Sequence, residues 1–516
     1  MSILKKTTAM LCCLCTVASL GACGGPTFRD EVVDLENDVL SGSLNIRVWE
    51  GGFGLKWLDN VIVAFNEKYP DVEIDVADST ERMQVFGDIV SMSNKFDLIF
   101  SDANLVDYAE ECLEPIDDVY AYTNNGESVS VGDKLAQIYL DYWNVDGSYY
   151  YLPAYVGTYG IVYNGDYIYD DEIPVTTEEL KTLCTSLKSS IKPFIFSGET
   201  GTNYWDFLYA TWFAQYEGKD NYSASLSGQI IDANGERKYD PSSAYLEGGL
   251  KAMQVCEDLL WYENGNIVTS STGLQFIIAQ RDFLKGGAAM MYNGSWLFNE
   301  MELMFPDGPE SEFKMMKIPV ISAIIEKCPT IADDAELSAL VKAIDANETA
   351  LAGDGYDVSE ADYAKVAEAR NFYYAGAEGS KAVVPINARN KQIAKRFLSF
   401  MYSEEGIAAH AKAEVGAVLP VKNFNVTMRP NSAFTETAYD IMLNNEIFFN
   451  NPVLAVTPYC TDTVAAGIEK QFGSQNANDR TRAVASFNAK KELWTANDNQ
   501  KFWDVLISLG YIKEKP

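Results

Sequence analysis

At 516 residues, 47% of them hydrophobic, the chain is too long for one core and too apolar to be largely disordered. Two or three domains are expected. Its 74 acidic against 40 basic residues give a net charge of −34, which repels nucleic acid and anionic lipid headgroups and excludes a nucleic-acid partner.

Lys5 and Lys6 precede an apolar run from Thr7 to Leu20, shorter than the ~20 residues of a spanning helix. Leu20-Gly21-Ala22-Cys23 follows, and its small residues fit a cleavage site, predicting a signal peptide over residues 1–22. A cysteine directly after that site resembles the lipobox of bacterial lipoproteins. The resemblance implies lipidation of Cys23, palmitate included, and a body anchored to the membrane on its extracytoplasmic face. Residues 23–42 are polar and acidic and read as a lipidated tether, with a weak helical pattern around Val32 to Leu40. Cys112, Cys184, Cys256, Cys328 and Cys460 are odd in number and widely spaced, which fits neither a disulfide framework nor a zinc site.

The globular part opens with Leu44, Ile46 and Val48 in alternation, a strand. Leu58, Val61, Ile62, Phe65 and Tyr69 recur at helical spacing until Pro70. Val72, Ile74 and Val76 form the next strand, and Phe96 to Phe100 has the continuous apolar character of a buried parallel strand. This alternation is the pattern of an open α/β sheet. A second α/β region begins near Tyr155, with a strand at Gly160–Asn164 and a helix over Thr177–Leu187 capped by Thr176 or Thr177. An Asn-Gly turn at Asn234-Gly235 predicts a hairpin, Tyr245–Tyr262 a helix, and Ala288–Tyr292 a short buried strand. From Asp333 to Tyr374 the chain turns Ala-, Glu- and Asp-rich and helical, with a capping-box pattern at Ser359 and Asp362. Ala382–Ile386 returns to strand, and Lys391–Tyr402 is an amphipathic helix.

The chemistry excluded is broad. The single histidine, His410, rules out a histidine-based triad and an HExxH zinc site, and is read as a surface or half-buried helix residue. No G-x-S-x-G or phosphate loop occurs, and Asp232-Ala233-Asn234-Gly235 departs from a calcium loop because its glycine falls two places early. No enzyme, metal or cofactor is expected. Trp49 and Glu50 end the first strand beside Gly51-Gly52, and Asp102 and Asn104 follow the third. In open α/β sheets ligands bind beyond the carboxyl ends of strands. Sugars need carboxylates and amides for hydroxyl groups and aromatic faces for the apolar ring face, which Tyr155, Tyr159, Tyr204, Trp205 and Trp296 could supply.

The segment LNIRVWEGGFG…WLDNVIVAFNEKYPDVEIDV is similar to the opening strand, helix and strand of family 1 extracellular solute-binding proteins, the maltose-binding-protein-like receptors of sugar-importing ABC transporters. FDLIFSDANLVDYAEECLEPID, YYYLPAYVGTYGIVYNGDYI and KQIAKRFLSFMYSEEGIAAHAKAEVGAVLPVKN resemble later segments of that family, and FLKGGAAMMYNGSWLFNEM its G-x-A-A-M-x-x-x-G-x-W segment. The resemblance implies a monomeric, two-lobed periplasmic-binding-protein-like α/β fold with a hinge between lobes. It divides the chain into a first lobe of residues 43–156 plus 381–418, a second of 157–320 plus 419–516, and a helical insertion over 321–380. It also implies a carbohydrate ligand, most simply an oligosaccharide, and ABC transporter permease subunits as partners. Trp296 stands at the tryptophan of the G-x-W segment, which in many members stacks on a sugar. Gly157 stands where some relatives carry a ligand-binding carboxylate, which puts a maltose-like pattern in question. Two alternatives stay open: a polyamine or peptide ligand in the same fold, or a surface-anchored carbohydrate-active enzyme.

Overall fold

In a computed structural model, the described residues are 33–91, 95–103, 108–199, 204–347, 358–375, 380–422, 432–449, 467–493 and 499–515. The signal peptide, Cys23, the first half of the tether, Asn104 and Cys460 lie outside them.

The first lobe is built on a five-stranded sheet. Gly42–Trp49 turns Leu44, Ile46 and Val48 fully inward, and the helix Lys56–Lys68 covers them with Trp57, Leu58, Val61 and Phe65. That helix ends where Pro70 cannot supply an N–H, with Tyr69 donating back to Phe65. Val72–Ser79 and Leu98–Ser101 lie on either side of Gly42–Trp49 and parallel to it. Beyond Leu98–Ser101 the sheet takes an antiparallel strand from far down the chain, Lys381–Val383, and then Leu152–Pro153.

The second lobe holds an antiparallel sheet, Met290–Gly294, Tyr159–Asn164 and Phe313–Met316 in that order. Helices Thr177–Leu187, Trp205–Glu217 and Glu247–Leu260 pack around it. Thr176 caps the first of these by accepting the Glu179 N–H at 3.2 Å. The Asn-Gly hairpin forms between Gln229–Ile231 and Arg237–Tyr239. Between the lobes, Val156 and Val418 exchange backbone hydrogen bonds of 2.7 and 2.9 Å, so the two crossing segments pair as they pass.

Of the helical stretch expected over 321–380, Ile324, Leu337, Leu340, Val341 and Val366 share one apolar core with Ile161, Trp212 and Met290 of the second lobe. Two expectations are corrected here. Residues 33–41 are neither helical nor a free tether, because Leu35 and Leu40 are buried against the first lobe. Asp34 exchanges two 2.6 Å hydrogen bonds with the Gln392 side chain, and Asp38 pairs with Arg396 at 3.0 Å. His410 is not at the surface but 1% exposed, its ring 5.4 Å from that of Trp57. Burial pushes its pKa down to about 4, with the nearby Ala154 backbone acting the other way.

Candidate ligand-binding cleft

Parallel pairing brings the carboxyl ends of Gly42–Trp49 and Leu98–Ser101 side by side, which sets Trp49 and Glu50 near Asp102 on the first lobe's rim. Arg82, at the start of helix Arg82–Val90, joins them: its guanidinium lies 4.5 Å from the Trp49 ring centre and its Nε is 2.7 Å from Asp102 Oδ2. Trp49 therefore spends one face on Arg82 and donates its indole N–H to Thr80 at 3.3 Å. Asp102 Oδ1 is buried and has no hydrogen-bond partner among the described residues. Burial pushes the Asp102 carboxyl up, while Arg82 and Lys381 pull it down. Glu50 is half-buried, and its backbone N–H continues the sheet by donating to Ser79.

The second lobe contributes an aromatic cluster. Gly294 pairs with Tyr159 at the edge of the antiparallel sheet, so Trp296, two residues on, is delivered beside Tyr159. The two rings meet edge to face at 4.8 Å. Tyr204 lies 6.0 Å from Trp296 and shares a side-chain hydrogen bond with it. Burial raises the Tyr204 phenol, and Glu300 and Arg82 are both close enough to act on it, so this ring sits between charges from the two lobes. Gln280, fully buried, donates to Glu300 at 2.8 Å and leaves its own Oε1 without a partner among the described residues. Burial also pushes the Glu300 carboxyl up.

Tyr155, on the crossing segment, is 6% exposed and packs edge to face with Phe53 at 5.0 Å and Trp57 at 5.3 Å. Phe53 reaches Trp296 as well, at 5.5 Å, so rings of both lobes and the crossover form one box. Trp205 is not part of it. Its ring is 1% exposed in the core, 5.1 Å from Phe194, on a helix apolar on several sides, and it offers no face to the cleft. Phe53, Arg82, Gln280 and Glu300 carry no expectation from sequence. The only sign of Phe53 was an aromatic enclosed by glycines, Gly51-Gly52-Phe53-Gly54.

The family model for bacterial extracellular solute-binding proteins matches residues 60–423. The chain belongs to that family. No curated protein matches this solute-binding protein by sequence. Its fold is similar to a solved chitin oligosaccharide binding protein at 16% identity and TM-score 0.57, covering 88% of this chain and 100% of the other. It is also similar to a family 1 extracellular solute-binding protein from Bifidobacterium longum subsp. infantis, at 16% identity and TM-score 0.53 over 87% and 99% of the two chains. The GacH receptor of Streptomyces glaucescens, solved without ligand and with acarbose, matches at 15% identity and TM-score 0.52 over 89% and 99%. These likenesses show the two-lobed fold. Among the described residues, no helix is long and apolar enough to cross a membrane.

Proposed function

We propose that this solute-binding protein takes a carbohydrate between its lobes and delivers it to the permease of an ABC importer, held at the extracytoplasmic face by lipid on Cys23. The observation that carries the reading is Trp296, a second-lobe ring gathered with Tyr159 and Tyr204. Aromatic faces cover the apolar side of a sugar ring, and the open oxygens of Asp102 and Gln280 accept from hydroxyls. Closure then follows from contacts that both lobes make only when shut. The solved neighbours named for chitin oligosaccharides and acarbose support the ligand class. Arg82 already pairs with Asp102 at 2.7 Å, which leaves that carboxylate less free for a polyamine.

The test is a thermal-shift screen of the mature protein with chitin oligosaccharides, acarbose and galactose, and with polyamines and peptides alongside. A ligand that binds only the folded state raises the melting temperature once its concentration exceeds Kd. A shift with a saccharide is expected. A shift confined to polyamines or peptides, or product formation from a glycan, would replace the reading.

A further inference from the structure

We propose that Phe53 is a gate inside the cleft: its ring holds the place a sugar ring needs against Tyr155 and Trp296, and a saccharide binds by displacing it. The ligand class rests on the carbohydrate reading, whereas the seat of Phe53 does not.

Phe53 belongs to a loop between a strand and a helix, where an aromatic ring normally meets solvent, yet it is only 8% exposed. It bridges the lobes, edge to face with Tyr155 on the crossover and with Trp296 on the second lobe. Two glycines make room for it. A Cβ on Gly157 would stand 2.2 Å from Phe53 Cζ and 2.8 Å from Ser295 Oγ, so the ring, with the Ser295 hydroxyl beside it, occupies the space into which a side chain at 157 would point. A Cβ on Gly52 would stand 2.8 Å from both Trp296 Cδ1 and Glu300 Oε1, so the loop backbone itself lies against the Trp296 indole. The absence of a carboxylate at Gly157 thus has a steric counterpart: the chain has put a phenyl ring there instead.

The attachment is suited to release. Across the lobe boundary the loop's polar tie is a 2.7 Å hydrogen bond from Asn299 Nδ2 to the Gly52 carbonyl, and the rest is ring contact. Gly51, Gly52 and Gly54 give the backbone around Phe53 a wide choice of conformations, and the loop's ties within its own lobe are the Gly54 N–H to the Gly51 carbonyl at 2.9 Å and the Trp57 indole N–H to the Gly54 carbonyl at 3.1 Å. A sugar ring entering between Tyr155 and Trp296 meets the same surfaces that hold the phenyl ring. Phe53 and the ligand are therefore competitors, and the gate reduces affinity to the fraction of time the ring is unseated.

Two measurements on the full mature chain test this. The first, hydrogen exchange of residues 51–54 and 296–300, needs no ligand. Gly157→Ala should expel the ring and raise exchange in both segments, whereas in a Phe53→Ala background the same change should add little. Equal effects in the two backgrounds, or no effect in the wild type, would overturn the seat of Phe53. If Gly157→Ala does not fold, Phe53→Ala alone is read: exchange at 296–300 should rise as the ring leaves Trp296, and no rise refutes the seat, a readout free of the Ser295 hydroxyl that an alanine at 157 also meets. The second is calorimetric affinity for acarbose and chitin oligosaccharides, where Phe53→Ala should bind about tenfold more tightly. Equal or weaker binding would mean that Phe53 does not compete with the saccharide, and the gate falls. Binding of none of these sugars by either protein, with the exchange results as expected, overturns the saccharide class and keeps the seat of the ring.

Discussion

Glu469 and Asp206 each cap the helix that the other begins. Glu469 Oε1 accepts the backbone N–H of Trp205 at 2.9 Å, and Asp206 Oδ1 accepts that of Ile468 at 3.1 Å. Helices Trp205–Glu217 and Ile468–Gly473 thereby meet at their N-termini, where positive dipole ends favour carboxylates. Burial works against that preference and, with Asp206 close by, pushes Glu469 up to about 8.

The folded chain therefore keeps a proton on Glu469 that the unfolded chain releases near pH 4.5. This contribution to stability is full below that value and is lost as pH rises through about 8. Glu469→Gln keeps the acceptor for Trp205 and removes the titration. Urea unfolding at pH 5, 6.5 and 8 should show the variant gaining on the wild type by roughly 2–4 kcal/mol across the series. A difference constant with pH would refute this.

His410 works in the opposite direction. Its folded pKa of about 4 lies below the reference 6.5, so the unfolded state binds the proton first. Stability from this site is present above pH 6.5 and is lost as pH falls toward 4. His410→Leu should lose less stability than the wild type between those values, by about 2–3 kcal/mol. Parallel acid-unfolding curves for the two proteins would contradict it.

Trp296 and Trp205 separate a ligand ring from a core ring. Trp296→Ala should weaken saccharide binding by about 100-fold or more with little change in melting temperature, since the side chain is half-buried. Trp205→Ala should cost about 3–5 kcal/mol of stability, because it empties a site 1% exposed. Calorimetric titration and melting of both variants decide it, and unchanged affinity in Trp296→Ala would remove the central site residue.

The segment before the first strand makes a fourth case. A chain starting at residue 42 should be less stable than one starting at residue 33, by about 2–4 kcal/mol, having lost the buried Leu35 and Leu40. It also uncovers the guanidinium of Arg396, which is 1% exposed and paired with Asp38. Identical melting temperatures would show that the segment merely lies alongside.

Much of the fold was legible because its signals are local. Leu44, Ile46 and Val48 alternate, and Lys391–Met401 keeps its apolar face toward the first lobe. What escaped was set by distance. Asp34 and Asp38 find Gln392 and Arg396 358 residues away, and no local composition records such a pairing. Trp205 and Trp296 are alike as residues; only the sheet-edge pairing of Gly294 with Tyr159 brings the second to the cleft. His410 sits among small alanines that carry no apolar stripe, so its burial under Trp57 left no pattern. Phe53 escaped because nothing local to Gly51-Gly52-Phe53-Gly54 records the ring it meets on the other lobe, Trp296.

The first lobe's sheet is finished by a strand that arrives late. Lys381–Val383 is wedged between Leu98–Ser101 and Leu152–Pro153, so the side of Leu98–Ser101 away from Gly42–Trp49, and Leu152–Pro153 itself, wait for their partner until the chain has been made past residue 383. The second lobe's sheet draws only on residues 159–316 and waits for nothing so remote. For a polypeptide emerging from its N-terminus, Leu98–Ser101 therefore presents a raw apolar edge through most of synthesis, an opening for wrong strand pairing and a need for a holding chaperone. Of these two sheets, the one that begins first is the last to close.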